Sequence, residues 1–329
     1  MKHVSKIHLI IILPLLIFSC SARKSAMSTS TKIYKAPTDF RVVGYLLGGE
    51  IARGNANHFN LSRLNYLNVF FNGVDSSGKF HNFKNLDSII AAAHKNNVKV
   101  IASIGNSVSL SLITDSTRTP FIDTLVNSLV ALNMDGIDVD FEGDHITKDY
   151  EGFIGALSVA LKAKGKLLTA AVATWETQWL TDKALANFDF LNIMTYDATG
   201  PWKPQEAGPH SPYSFAVSDL DFWTNTRHIA KEKLNLGLPF YAYGFGPGPT
   251  KEYHYSQVIT MYPGAEKTDS VTVTPGSVIY YNGIPTMKKK TKLAMKNAGG
   301  VMIWELMEDA DGDKSLLTAI DKTANPHND

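Results

Sequence analysis

Short apolar runs alternate with stripes of helical period along most of this chain. Val42, Val43, Tyr45, Leu46 and Leu47 make the first run, halted by Gly48-Gly49. Residues 66–71 make a second, ending in the turn signals Asp75-Ser76-Ser77-Gly78. Runs at 98–103, 167–173, 190–197, 234–240 and 300–305 have similar length and are rich in aliphatic and aromatic side chains. Between them Leu86, Ile89, Ile90 and Ala93 recur at helical spacing, then Phe121, Leu125, Leu129 and Leu132, then Tyr150, Phe153, Ile154, Leu157 and Leu161. Further helical segments are expected at 215–229 and 316–320. With a strand inside 134–143 the number of strands reaches eight. Eight buried strands separated mostly by helices predict an α/β fold in which a parallel sheet closes as a (β/α)8 TIM barrel. Residues 244–284, rich in Tyr, Gly and Pro with a β-like Val271-Thr272-Val273, predict a short insertion between the seventh and eighth strands, over the barrel mouth.

The fourth strand departs from the apolar rule. Met134-Asp135-Gly136-Ile137-Asp138-Val139-Asp140-Phe141-Glu142-Gly143 carries four carboxylates interleaved with apolar side chains. Successive side chains of a strand point to opposite faces, so Asp138, Asp140 and Glu142 share one face and Ile137, Val139 and Phe141 the other. Three ionised carboxylates on a buried face repel one another. At least one is therefore expected to be protonated or hydrogen-bonded, the condition that raises the pKa of a general acid. The plain alternatives are a solvated acidic turn and a calcium loop. The latter needs a turn glycine within the acidic run, and here apolar β-formers fill the gaps.

The spacing Asp-x-x-Asp-x-Asp-x-Glu resembles the active-site motif of glycoside hydrolase family 18, the chitinase and chitinase-like family, and the resemblance runs over roughly residues 40–320. It implies hydrolysis of β-1,4-linked N-acetylglucosamine polymers by a retaining, substrate-assisted mechanism, one of the exceptions to the two-carboxylate scheme. On that resemblance Glu142 protonates the leaving glycosidic oxygen, Asp140 holds the substrate acetamido group, and Asp138 shares charge and protons with Asp140. Asp135, outside the alternation, is assigned with Gly136 to the structural frame. Tyr196 matches the family tyrosine that holds the acetamido oxygen, and Met194 and Asp197 match residues lining the same subsite. Trp304 matches the tryptophan under the cleaved sugar, and Tyr45 a pocket-lining aromatic. Trp175, Trp202 and Tyr243 follow three strands and are candidates for further sugar subsites. Ser103 and Gly105 match the Ser-x-Gly-Gly that often ends the third strand, but Asn106 stands in place of its last glycine. The segment before the last strand looks shorter than the full insertion of many family members, which predicts a shallower cleft. An endo-β-N-acetylglucosaminidase acting on N-glycan cores and a chitinase-like protein that binds sugar without cutting remain as alternatives. Neither a cofactor nor a metal is implied. The ten histidines show no metal-ligand spacing, and Asp309-Ala310-Asp311-Gly312-Asp313 has Lys314 where a calcium loop would need its glycine.

Composition adds three points. A chain of 329 residues, 44% hydrophobic and 19% charged, is ample for one barrel, and a net charge of +1 gives no argument for nucleic acid. One cysteine, Cys20, excludes an intramolecular disulfide. Lys2 and Lys6 precede an apolar run over residues 7–18, and Ile17-Phe18-Ser19-Cys20 resembles a bacterial lipoprotein signal. The expected organisation is a signal peptide at 1–19, a flexible tether at 20–37 rich in Ser, Thr, Lys and Ala, and a catalytic barrel at 38–329. An uncleaved anchor or an ordinary secretory peptide are the rival readings of the N-terminus. The expected protein is a monomer exported and held by a lipid on Cys20 at the cell envelope or surface.

Overall fold

The apolar runs pair side by side and the helical stripes cover them from outside. The computed structural model describes residues 39–54, 59–71, 73–248 and 251–326. Cys20 and the segments expected to be signal and tether lie outside the described residues. In chain order the elements are β1 (Arg41–Leu47), α1 (Gly48–Arg53), β2 (Tyr66–Phe70), α2 (Leu86–Lys95), β3 (Lys99–Gly105), α3 (Arg118–Ala131), β4 (Gly136–Asp140), α4 (Tyr150–Lys162), β5 (Leu167–Val172), α5 (Asp182–Ala186), β6 (Phe190–Ile193), α6 (Tyr213–Asp221) and β7 (Leu234–Pro239). There follow β8 (Tyr241–Phe245), β9 (Glu252–His254), α7 (Tyr255–Met261), β10 (Ser270–Thr274), β11 (Ser277–Tyr280), α8 (Ile284–Asn297), β12 (Gly300–Trp304) and α9 (Leu316–Ala324). Strands β1 to β7 and β12 close a barrel in the order β1-β12-β7-β6-β5-β4-β3-β2, and every pairing in it is parallel. This is the (β/α)8 barrel that the alternation predicts. Among the described residues no helix is long and apolar enough to cross a membrane.

Alternation divides each strand between two cores. Val42 and Leu46 of β1, Ile137 and Val139 of β4, and Val301 and Ile303 of β12 pack outward into the layer shared with Phe121, Leu125, Phe153, Leu157 and Leu161 of the helices. Burial of such aliphatic side chains stabilises the layer by roughly 1.5–3 kcal/mol each before the entropy of ordering them. Val43 and Tyr45 of β1, Phe190 of β6 and Met302 of β12 belong to a second cluster with Tyr196, Tyr241 and Tyr243, on the opposite face of the sheet.

Four departures from the sequence reading have local causes. Gly48-Gly49, expected only to stop the first strand, opens α1, where a Cβ on Gly48 would sit 3.1 Å from the Phe70 carbonyl oxygen. The sixth strand ends at Ile193 instead of Asp197. Beyond it the Thr195 hydroxyl donates to the Gly237 carbonyl at 2.6 Å, and Asp197 takes a left-handed φ of 62°. The helix expected at 215–229 starts just after Pro212, as α6, and continues into one π-helical turn over Phe222–Thr226. The insertion is ordered where an irregular stretch was expected, a four-stranded antiparallel sheet in the order β10-β11-β8-β9 with α7 beside it.

Candidate active site

Strand register assembles the site. Ser103 of β3 and Thr169 of β5 are the in-register partners of Asp138 on β4, and Gly105 is the partner of Asp140. Parallel partners point to the same face, so the two hydroxyls are aimed at the Asp138 carboxylate. Its Oδ2 accepts from Tyr45 Oη at 2.6 Å and Ser103 Oγ at 2.8 Å, and its Oδ1 from Thr169 Oγ1 at 2.6 Å and Asn192 Nδ2 at 3.3 Å. Asn192 also donates to Tyr45 Oη, and Asn235 Nδ2 donates to Asn192 Oδ1 at 2.9 Å. Arg41 Nε in turn donates to Asn235 Oδ1 at 3.0 Å. A polar chain therefore runs inside the sheet from the start of β1 to Asp138. Burial pushes the Asp138 carboxyl up, and the four donors pull it back toward ionisation.

Asp140 has the opposite surroundings. It is buried, and its Oδ1 has no hydrogen-bond partner among the described residues. Burial first, then the charges of Glu142, Asp138 and Glu176, hold its pKa well above the usual carboxylate range. The carboxyl that lies between two others is thus pushed toward its protonated form, in the direction the repulsion argument expects of one member of the row. Glu142 lies two residues beyond the end of β4, with extended backbone angles of −121° and 147°. Burial and then the charge of Asp197 raise its pKa.

The matched aromatic residues gather around this row. Tyr196 is buried and, among the described residues, its hydroxyl donates to the sulfur of Met302, at 3.9 Å, a weak acceptor that leaves the group open to a better one. Trp304 is half-buried, its ring 5.4 Å from that of Tyr45 and 5.7 Å from that of Phe70. Met194 is half-buried beside the same cluster. Asp197 Oδ1 accepts from Tyr241 Oη at 2.6 Å and Tyr243 Oη at 3.1 Å. Asp135 lies at the other end of β4, where its Oδ2 meets His94 Nε2 and the Val100 amide, each at 2.8 Å. Gly136 leaves room for β5, since a Cβ there would come within 2.6 Å of the Leu167 carbonyl oxygen. Trp175 and Trp202 are exposed, at 59% and 55%, whereas Tyr243 is buried.

Several residues in the site escaped the strand pattern. Thr169, Asn192 and Asn235 contact Asp138 or the chain behind it, and each is a polar residue on an apolar strand, a signal that could have found them. His210, wholly buried between the rings of Tyr241 and Tyr243, places Nδ1 3.6 Å from Asp197. Burial lowers its pKa, against the pull of Asp197. Glu176 is wholly buried just after β5, its pKa pushed up to about 7 by burial, drawn down by the Gly143 and Ala173 amides and raised by the charge of Glu142. Asp309, the start of the rejected calcium pattern, caps α9 by accepting from Ala310 N, Leu316 N, Leu317 N and Ser315 Oγ. Among the described residues no group of three or more His, Cys, Asp or Glu side chains is arranged to hold a metal ion.

A model of the glycosyl hydrolases family 18 matches residues 41–309. The GH18 chitinase ChiB from the chitin utilization locus of Flavobacterium johnsoniae has 33% identity and a TM-score of 0.79, with 89% of this chain and 95% of that one covered. A chitinase from Bacteroides thetaiotaomicron has 25% identity and a TM-score of 0.73, covering 88% of this chain and 99% of that one. Human chitinase-3-like protein 2 is 25% identical over 276 residues, 65% of this chain and 70% of that protein. Against several other curated relatives the match spans half of their length or less.

Proposed function

The chain belongs to glycoside hydrolase family 18, and from that membership we propose that it cuts the β-1,4 bonds of N-acetylglucosamine polymers or oligosaccharides with retention of configuration. The observation that carries this reading is the graded row of carboxyls. Asp138 is tied by four donors, Asp140 keeps one buried oxygen without a partner among the described residues, and Glu142 stands at the end with its pKa raised.

Each member of the row has a task in this scheme. The N-acetyl carbonyl oxygen of the bound sugar attacks the anomeric carbon while the bond to the leaving oxygen breaks and Glu142 passes its proton to that oxygen. Asp140 accepts the acetamido N–H at its free oxygen, which orients the attacking carbonyl and stabilises the positive charge of the oxazolinium ring as it forms. The Tyr196 hydroxyl leaves the Met302 sulfur for the acetamido oxygen. Water then adds at the anomeric carbon, gives its proton back to Glu142 and reopens the ring. Asp138, whose four donors favour its charged form, supports the positive charge from behind Asp140. Trp304 offers a flat apolar partner to the sugar face.

Digestion of chitin oligosaccharides and of a high-mannose glycoprotein, read by mass spectrometry, tests the substrate class. Cleavage of the first with a β reducing end, seen by proton NMR before mutarotation, supports the reading. Cleavage of the glycoprotein alone would move the enzyme to N-glycan cores, and sugar binding without cleavage would make it a lectin. A fresh α reducing end would mean direct attack by water, and the role of Asp140 would be wrong. We further propose that the protein is exported and held at a membrane by a lipid on Cys20, a reading supported by the apolar run and cysteine at its N-terminus.

A further inference from the structure

Glu142 has left the sheet that aligns Asp138 and Asp140, because β4 ends at Asp140. Gly143 follows with φ at 57°, a left-handed turn that only glycine adopts freely. An acid that must reach within about 2.6–3.2 Å of a leaving oxygen thus sits on backbone without strand pairing of its own. Side chains from both neighbouring strand ends hold that backbone. On the β3 side, Asn106 Oδ1 accepts from the Glu142 amide at 2.9 Å, and Asn106 Nδ2 donates to the Glu142 carbonyl at 3.1 Å. On the β5 side, Glu176 Oε1 accepts from the Gly143 amide at 2.8 Å, and its Oε2 from the Ala173 amide at 3.2 Å.

We infer that Asn106 and Glu176 are positioning residues for the general acid, a two-sided clamp that fixes the Glu142–Gly143 backbone and so the direction in which the Glu142 carboxyl points. The inference rests on the role proposed for Glu142. Asn106 bonds both polar groups of one residue, so it restrains the rotation of that residue as well as its position. Glu176, wholly buried, ties Gly143 to the end of β5. The family pattern puts glycine where Asn106 stands, and glycine offers neither bond. Misplacement of an acid by about 1 Å costs on the order of a hundredfold in rate, whereas sugar binding along the rest of the cleft does not depend on it.

Two readouts on the full-length protein test this. Amide hydrogen exchange needs no activity. Asn106→Ala should speed exchange at the Glu142 amide, and Glu176→Ala at the Gly143 amide, each by about tenfold or more. Asn106→Asp keeps an acceptor for the Glu142 amide and should keep it slow. Unchanged exchange in the first two variants, or fast exchange in the third, overturns the clamp. Kinetics read its consequence. On chitin oligosaccharides Asn106→Ala should lower kcat by about 10–100-fold with KM within about threefold. On an aryl chitobioside whose phenol is acidic enough to leave unprotonated, kcat/KM, which reports only the step before water attacks, should fall by less than about threefold. Equal losses on both substrates would mean general disruption and overturn the positioning role. A wild-type protein inactive on both would refute the proposed function instead, and the exchange arm would still decide the clamp.

Discussion

Replacing Glu142 with Gln keeps the shape of the side chain and removes its transferable proton. Turnover should fall at least about a hundredfold while melting temperature and oligosaccharide affinity stay close to wild type; a variant retaining a tenth of the rate would end its assignment as the acid. Asp197 acts on the same group through space. Its negative charge is the second cause, after burial, of the raised Glu142 pKa. The acid works only while protonated, so taking that charge away lowers its pKa and it loses its proton at lower pH. Asp197→Asn should therefore move the alkaline limb of the kcat profile to lower pH, and a limb that stays in place or moves up would count against the coupling. The carboxyl row itself was legible in the sequence because alternation alone places Asp138, Asp140 and Glu142 on one face. Its partners were not. Thr169 and Asn192 reach Asp138 from other strands, and only pairing register brings them there.

Among the elements, the barrel strands were the easiest to read, since each is a run buried on both faces along most of its length. β6 was overread because Thr195 and Tyr196 continue an apolar pattern after the backbone has turned toward β7. That turn depends on Gly237, where a Cβ would meet the Ile193 carbonyl oxygen at 2.3 Å. The insertion sheet was hidden for a different reason. β8 finds its partner β11 more than thirty residues later, across Gly- and Pro-rich links that read as loop. At the end of the chain the helix α9 was expected, but its start was not understood. Asp309 accepts from the Leu316 and Leu317 amides of its first turn and from the Ser315 hydroxyl, while Ser315 accepts from Thr318 N. Burial raises the Asp309 pKa to about 6 against those bonds. Asp309→Ala strands buried amides and should cost about 1–3 kcal/mol, a fall of roughly 2–5 °C in Tm for a chain of this size. Calorimetry checks this, and an unchanged Tm would show that the cap is dispensable.

On the scale of the whole molecule, composition and the order of elements were enough to expect one barrel, whereas the N-terminal reading depends on residues outside those described. Cys20→Ala is its direct test. The variant should leave the membrane fraction for the soluble or uncleaved pool, and identical fractionation of the two proteins would reject the lipid anchor. Closure of the barrel has a consequence in time. Arg41 of β1 pairs with Gly300 of β12, and β12 also completes the edge of β7. A growing chain emerges at about 5–20 residues per second, so its first strand waits on the order of ten seconds or more for its last partner. Until then β1 and β7 are open parallel edges, each a template for another chain. A ribosome that stops short of the last strand would release no smaller closed barrel, only an unclosed sheet that chaperones must hold or proteases remove.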